Sequence, residues 1–428
     1  MKYIISLLSF FIIVQFAWAQ PDFSIEQYGI LKDSSNAKAG LWVENTFNSN
    51  VLNNSVYFNS VFGTGINRKS MQSMSQRALK TNIAGISETD RAYYSWMGKN
   101  KTDSFKFVNY VTIGSRRLFN TRFNEDAFLL LGMGNKQFAG EAADLSNTRI
   151  NMLFYTQVQY GIIKQNEKGI SYGGGISFLM GNSYLQFESN DAYLYTSEIG
   201  DSTFLEANGK YIQSDTAQRN LFDINGYGGS LDLFVAMPVD FIKGNEEKGT
   251  LKLEINDLGV IFWNNTVTYN IDGDIEWAGI KAPSIFDIGD STYNSQVPSE
   301  IDKELISSSK KGSLTTSTAP RIAIYYSERL GPRIMLKNIV SYQFNSHSIP
   351  FIGSTQEFNL SKKNKPYQWN CNLYESLGGY GFLGVGLGAS VSTKNFSAIL
   401  GSRNIIGLLN PGYLNGFNLH CGFQWNFH

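Results

Sequence analysis

The last thirteen residues of the chain, Gly416 to His428, alternate. Phe417, Leu419, Cys421, Phe423, Trp425 and Phe427 are apolar, and Asn418, His420, Gly422, Gln424 and Asn426 between them are polar or lack a side chain. Successive side chains leave opposite faces of a pleated backbone, so this alternation predicts a strand with one apolar face. At about 3.4 Å per residue the apolar set runs roughly 34 Å. Tilted by about 40°, it covers roughly 26 Å of height, close to the ~25 Å apolar band of a transmembrane barrel. The stretch is therefore expected to close such a barrel. Its odd-numbered side chains would face lipid, and Asn418, His420 and Gln424 the lumen. An amphipathic strand of a soluble sandwich is the competing reading.

Composition supports a sheet that meets lipid on one side. Aromatics reach 14%, glycine is high at 41 residues and proline low at 9, a profile that suits pleated surfaces and spares ladder hydrogen bonds. Charged residues make up 17%, below the ~25% of ordinary soluble domains. The 36 basic residues balance the 36 acidic ones, so no nucleic-acid partner is indicated. Lys2, the apolar run Ile4 to Phe16 and Ala17-Trp18-Ala19 form a secretory signal pattern. Residues 1–19 are thus read as a signal peptide and 20–428 as one barrel. No later run of about 18 apolar residues offers a helical span. An exported chain built from such strands is expected in an outer membrane, because closed barrels satisfy their backbone groups there without helices.

Along the chain, strands are expected at Ala37–Phe47, Asn54–Ile66, Ser104–Leu118, Glu125–Gly134 and Ile150–Ile163, and on to Phe417–Phe427. Two segments break the rhythm. Residues 67–100 hold Met71, Met74, Ala78 and Leu79 at helical spacing. Residues 283–320 are Ser/Thr-rich, with a helix expected from Ser299 carrying Ile301, Leu305 and Ile306. The fold class is all-β: a closed antiparallel transmembrane barrel of about 14 strands, within a range of 12 to 16, with short extramembrane helices.

Several segments carry a resemblance: Leu130 to Gly140, Ile170 to Leu185, Gly226 to Val235, and above all LEINDLGVIFW, Leu253 to Trp263, with Ile275 to Ile280. They resemble a family of outer-membrane barrels of unknown function from Bacteroidota, whose members carry a D-L-G-x-I-x-W segment. The resemblance implies a porin-like or fatty-acid-transporter-like barrel in the cell envelope. It implies no substrate and no catalytic residue.

At Asp257-Leu258-Gly259 the alternation of Leu251, Leu253 and Ile255 with Lys252, Glu254 and Asn256 breaks. A slip of one residue would turn every later side chain to the other face, and a bulge absorbs it. Asp257 is thus either a structural corner or a carboxylate lining a pore. The same parity places Lys252, Glu254, Asn256, Gln368, Asn370, Asn372, Asn418, His420 and Gln424 toward the lumen, with mixed signs and no ion preference. Cys371 and Cys421 fall on apolar faces and make no disulfide framework.

No metal, serine-hydrolase or nucleotide motif occurs, so no cofactor and no enzymatic activity are expected. A lipid-modifying site built from His420, Asn418 and Ser390 or Ser392 is the remote exception. The leading expectation is a passive channel or importer of small or hydrophobic solutes, with membrane lipid as its other partner. The alternative is a non-conducting accessory barrel of an envelope secretion or surface-assembly machine, with envelope proteins as partners.

Overall fold

The computed structural model describes residues 35–62, 68–98, 106–214, 224–241, 248–278, 305–361, 365–381 and 383–428. The signal pattern of residues 1–19 and the start of the helix expected at Ser299 lie outside them.

The chain forms one closed antiparallel barrel of 14 staves. Its seam joins β17 (Phe417–Phe427) to β1 (Ala37–Ser49), from Ala37 opposite Phe427 to Phe47 opposite Phe417. β1 then meets β2 (Asn82–Met97), with Asn48 opposite Gly85. Backbone bonds at both ends of this pair, Met97 N–H to the Asn36 carbonyl (2.9 Å) and Asn50 N–H to Ile83 (3.2 Å), tie the two strands over their length. The wall continues through β3 (Lys106–Phe123), β5 (Arg149–Gln165) and β6 (Ser171–Thr196). β4 (Ala142–Asp144) is a short addition on the upper part of β6.

Two staves are made of two strands each. β7 (Ser202–Ser214) and β8 (Gly226–Val239) share the place between β6 and β9 (Gly249–Ala278). β10 (Ile306–Ser317) and β11 (Arg321–Gly331) share the next place. The remaining staves are β12 (Ile334–Gln343), β13 (Ile349–Asn359), β14 (Tyr367–Gly379), β15 (Leu383–Thr393) and β16 (Phe396–Ser402), which returns to β17.

The wall has an apolar outer face. Directly opposed residues point the same way, so the register carries that face round the ring: Leu41 beside Phe423, Ile113 beside Val158, Ile324 beside Val340. These six side chains are all exposed. The inner face is buried and divides into layers. Toward the end with the short turns lie Trp42, Tyr93, Tyr110 and Phe234. Toward the other end lie Leu118, Leu153, Tyr184 and Trp263. The glycines at 173 and 175 are where this interior needs them: a Cβ there would strike the rings of Phe234 and Tyr110. β9 runs 30 residues, roughly 100 Å at about 3.3 Å each, so the wall stands well beyond a single membrane band.

Helices gather at one end: α1 (Asn54–Phe62), α2 (Arg68–Ser75), α3 (Glu125–Met133) and α4 (Ile406–Leu409). Among the described residues none is long and apolar enough to cross a membrane. Four sequence expectations fail here. The strand expected at Asn54–Ile66 is helix α1: a strand would send Tyr57 and Phe58 to opposite sides, whereas the helix brings both rings onto Phe417, at 5.0 and 5.2 Å between centroids. The strand expected at Glu125–Gly134 is helix α3, started by the Asn124 side chain accepting from Ala127 N–H at 2.8 Å and by two acidic residues in the first turn.

Residues 67–100 hold α2 as expected but also strand β2. Its outward Glu88 and Asp90 are polar like its inward Thr89 and Arg91, so no apolar alternation marked it. Outside, Glu88 pairs with Arg117 at 2.7 Å and Asp90 accepts from Ser115 at 3.1 Å. Within 283–320, residues Ile306 to Ser317 form β10, an exposed Ser/Thr/Lys strand with the same lack of pattern. Ile306 therefore opens a strand rather than continuing a helix.

Candidate functional site: an ionic layer between two recesses

β9 carries the core of the site. Leu231 opposes Leu258 while Leu233 opposes Ile255, so Asn256 and Asp257 together face Asp232. Asp257 adopts φ +55°, the left-handed region that an aspartate tolerates better than most residues. This is the bulge the broken alternation predicted, and it turns two consecutive polar residues into the barrel. The Asp257 N–H donates to Asp232 Oδ1 at 2.6 Å, and Gln159 Nε2 donates to Asp232 Oδ2 at 2.7 Å. The Asp257 carboxylate is paired with Arg116, which reaches it from β3.

Next to this pair, Lys252 holds Glu254 at 3.0 Å and Asn256 Nδ2 donates to Glu254 at 2.8 Å. Lys252 lies over the Tyr325 ring (3.9 Å), whose hydroxyl accepts from Arg321 at 2.9 Å. Arg116, Asp232, Glu254, Asp257 and Arg321 are each at most 4% exposed. Charges so buried persist only when paired and hydrogen-bonded. These groups form a continuous ionic layer between the two apolar layers of the lumen.

A second network stands on the seam side. Glu44 is paired with Arg403 (2.6 Å) and accepts from Trp42 Nε1 (3.1 Å). His420 stacks on Trp42 with 5.8 Å between centroids, and its two ring nitrogens meet the Tyr374 hydroxyl and the Asn418 amide at 3.1 Å each. Both nitrogens are thus engaged, and neither bonds Ser390 or Ser392.

Parity placed the sites as follows. Lys252, Glu254, Asn256 and Asp257 come together in the ionic layer, and Asn418 and His420 in the seam network. Asn372 is buried on β14; Asn370 and Gln424 line a recess at the short-turn end, where Gln424 accepts from the Tyr93 hydroxyl at 2.9 Å. Gln368 is exposed near the turn. Of the residues expected to meet lipid, Phe423, Trp425 and Phe427 are exposed on the outer face, and Leu419 and Cys421 are half-buried there. Phe417 shares that face yet is 1% exposed, because α1 covers it with Tyr57 and Phe58. Parity could also have found Asp232 between Leu231 and Leu233. It could not have found Arg116, because Arg117 beside it is equally charged.

Among the described residues, two recesses flank the ionic layer. One, of about 370 Å³, lies at the short-turn end against Trp42, Tyr93, Asn370, Ser390, Ser392 and Gln424. The other, of about 500 Å³, lies at the helix end above Leu118, Leu153 and Tyr184, with Thr318 and His347 on its wall. The Thr318 hydroxyl donates to the Asp257 carbonyl and, at 3.1 Å, to Gly259. The wall of this recess is therefore bonded directly to the bulge that carries Asp257.

Residues 31–402 match the model of a family of unknown function, DUF5723. No curated protein matches the chain. Among solved structures, the toluene transporter TodX of P. putida is 7% identical over 94% of this chain and 92% of its own, with a TM-score of 0.45. A FadL homologue of Pseudomonas aeruginosa is 9% identical over 92% and 91%, with a TM-score of 0.41. The translocator domain of the autotransporter NalP from Neisseria meningitidis is 8% identical over 94% and 92%, with a TM-score of 0.36. Identities this low transfer no substrate.

Proposed function

This chain belongs to the DUF5723 family of unknown function, and from that premise we propose that it is an outer-membrane barrel with a lumen closed at rest, an importer of small solutes. The outer apolar face is the contact with lipid, with Phe423, Trp425 and Phe427 among its rings. The short turns would face the periplasm and the helix end the outside, the usual asymmetry of such barrels. Met1 to Ala19 belongs with this reading as its export signal.

The observation that carries the closed-lumen reading is the ionic layer. Its groups are too buried to line a water-filled pore, and among the described residues an apolar layer lies on either side of it. A solute that settles in the helix-end recess sits one hydrogen bond from Asp257 through Thr318. Passage would need the Arg116–Asp257 pair to part.

Planar-bilayer conductance of the purified protein tests this. The wild-type chain is expected to give at most rare openings, and Asp257→Asn a steady conductance. A wild-type chain that conducts steadily, or one that stays in water without detergent, defeats the reading. The sealed lumen also favours a second reading, a non-conducting accessory barrel. Silence of both proteins, together with a co-purifying envelope protein, would select it.

A further inference from the structure

The helix-end recess has a specific chemistry. Asn120 on β3 and Asn151 on β5 are direct cross-strand partners, and both line it. The side-chain carbonyl oxygen of each is buried with no hydrogen-bond partner among the described residues, and Asn120 as a whole is 5% exposed. Buried amide groups in folded proteins are almost always satisfied. Two orphans side by side on the wall of one recess leave hydrogen-bonding capacity that a molecule seated there would complete. Whichever way each amide is turned, the pair offers both acceptors and donors.

The carboxylate of the recess is engaged. Glu188 accepts from Gln186 Nε2 at 3.0 Å and faces Arg149 at 3.9 Å. Burial, and then the nearby Arg149 and Arg122, hold His347 below its ordinary pKa, so it is neutral near pH 7. Below the amides lies an apolar floor, Leu118 and Leu153, next to Tyr184, whose ring rests on Trp263 at 5.6 Å. The volume, about 500 Å³, falls in the range of small-molecule sites.

We infer that this recess binds a neutral, hydroxyl-rich solute of mono- to disaccharide size, its hydroxyls on Asn120 and Asn151 and its C–H face on Leu118, Leu153 and Tyr184. A hydroxyl both donates and accepts, which matches the amide pair in either orientation. A purely apolar solute leaves those amides unsatisfied. The inference deepens the importer reading and rests on it.

The test is calorimetric titration of the detergent-purified full chain with glucose, maltose and myo-inositol, and with hexanoate and diglycine as contrasts. At least one of the three hydroxylated probes is expected to bind. Asn120→Leu and Asn151→Leu, which remove a buried polar group without enlarging the site, are expected to weaken that binding at least tenfold. Their folding is checked by heat-modifiable gel migration. Lys310→Gln, on the exposed β10 and outside the recess, is expected to change it less than twofold. Binding of none of the three hydroxylated probes, affinity unchanged by both leucine variants, or preferential binding of hexanoate or diglycine would overturn the inference. Sugar binding is read without conduction. A silent Asp257→Asn with intact sugar binding therefore defeats only the importer reading, and a conducting Asp257→Asn without sugar binding defeats only this one.

Discussion

Arg116 on β3 and Asp257 on β9 form an ion pair inside the barrel although three staves, β5, β6 and β8, lie between their strands. The pair is a brace across a chord of the ring. Asp257→Ala leaves the Arg116 guanidinium buried without its partner, a loss of about 3–5 kcal/mol. Asp257→Asn keeps a residue that accepts positive φ and should cost less. The double variant Arg116→Met/Asp257→Asn is expected to lose less than the sum of the singles. Urea unfolding of the protein in lipid vesicles measures all of these.

Phe417 and Phe427 sit at the two ends of one strand and on one face, yet only the second is exposed. Phe417→Ala should cost about 3–5 kcal/mol, the loss typical of a fully buried ring, because it empties the space beneath Tyr57 and Phe58. Phe427→Ala should cost under about 1.5 kcal/mol. Equal losses in the same unfolding assay would contradict the packing of α1 on the seam.

Neighbouring positions on β17 test which face meets lipid. Phe423→Arg places a charge in the outer band and should lose about 2–4 kcal/mol if the site lies near the midplane. Gln424→Arg, toward the recess at the short-turn end, should change stability by less than about 1 kcal/mol. The fraction of heat-modifiable protein after refolding into bilayers reports the difference. Similar tolerance at both positions would undo the assignment of faces.

His347 gives the helix-end recess a pH dependence. Its folded pKa lies below the ordinary 6.5, from burial first and then from Arg149 and Arg122. The unfolded chain therefore takes up the proton more readily, and stability rises with pH between the two values. From His347 alone, stability should be flat above about pH 7 and fall as pH drops through 6.5 toward the folded value. His347→Gln should remove that part of the slope in urea titrations run between about pH 5 and 8.

Much of this molecule is legible in local pattern. The alternation of Phe417 to Phe427 foretells a one-sided strand, since a pleat can present those rings in only one direction. The break at Asp257-Leu258-Gly259 foretells the bulge, since Leu258, Val260 and Phe262 must return to the face that Leu251, Leu253 and Ile255 occupy. Such signals persist because an outward-facing residue answers to its own strand and to the surroundings outside it.

Other features have no local signal. The middle of β2 is polar on both faces, and its outward Glu88 is tolerated because Arg117 comes from the next strand. α1 is helical because Phe47 and Phe417 offer its rings one surface to share. Asp232, Arg116 and Asp257 meet only because the ring closes at this circumference. The sequence by itself determined that the strands would be apolar on one side and the wall antiparallel. Which buried charges face one another was decided by the tertiary structure, because that depends on distances across the barrel that no stretch of neighbouring residues encodes.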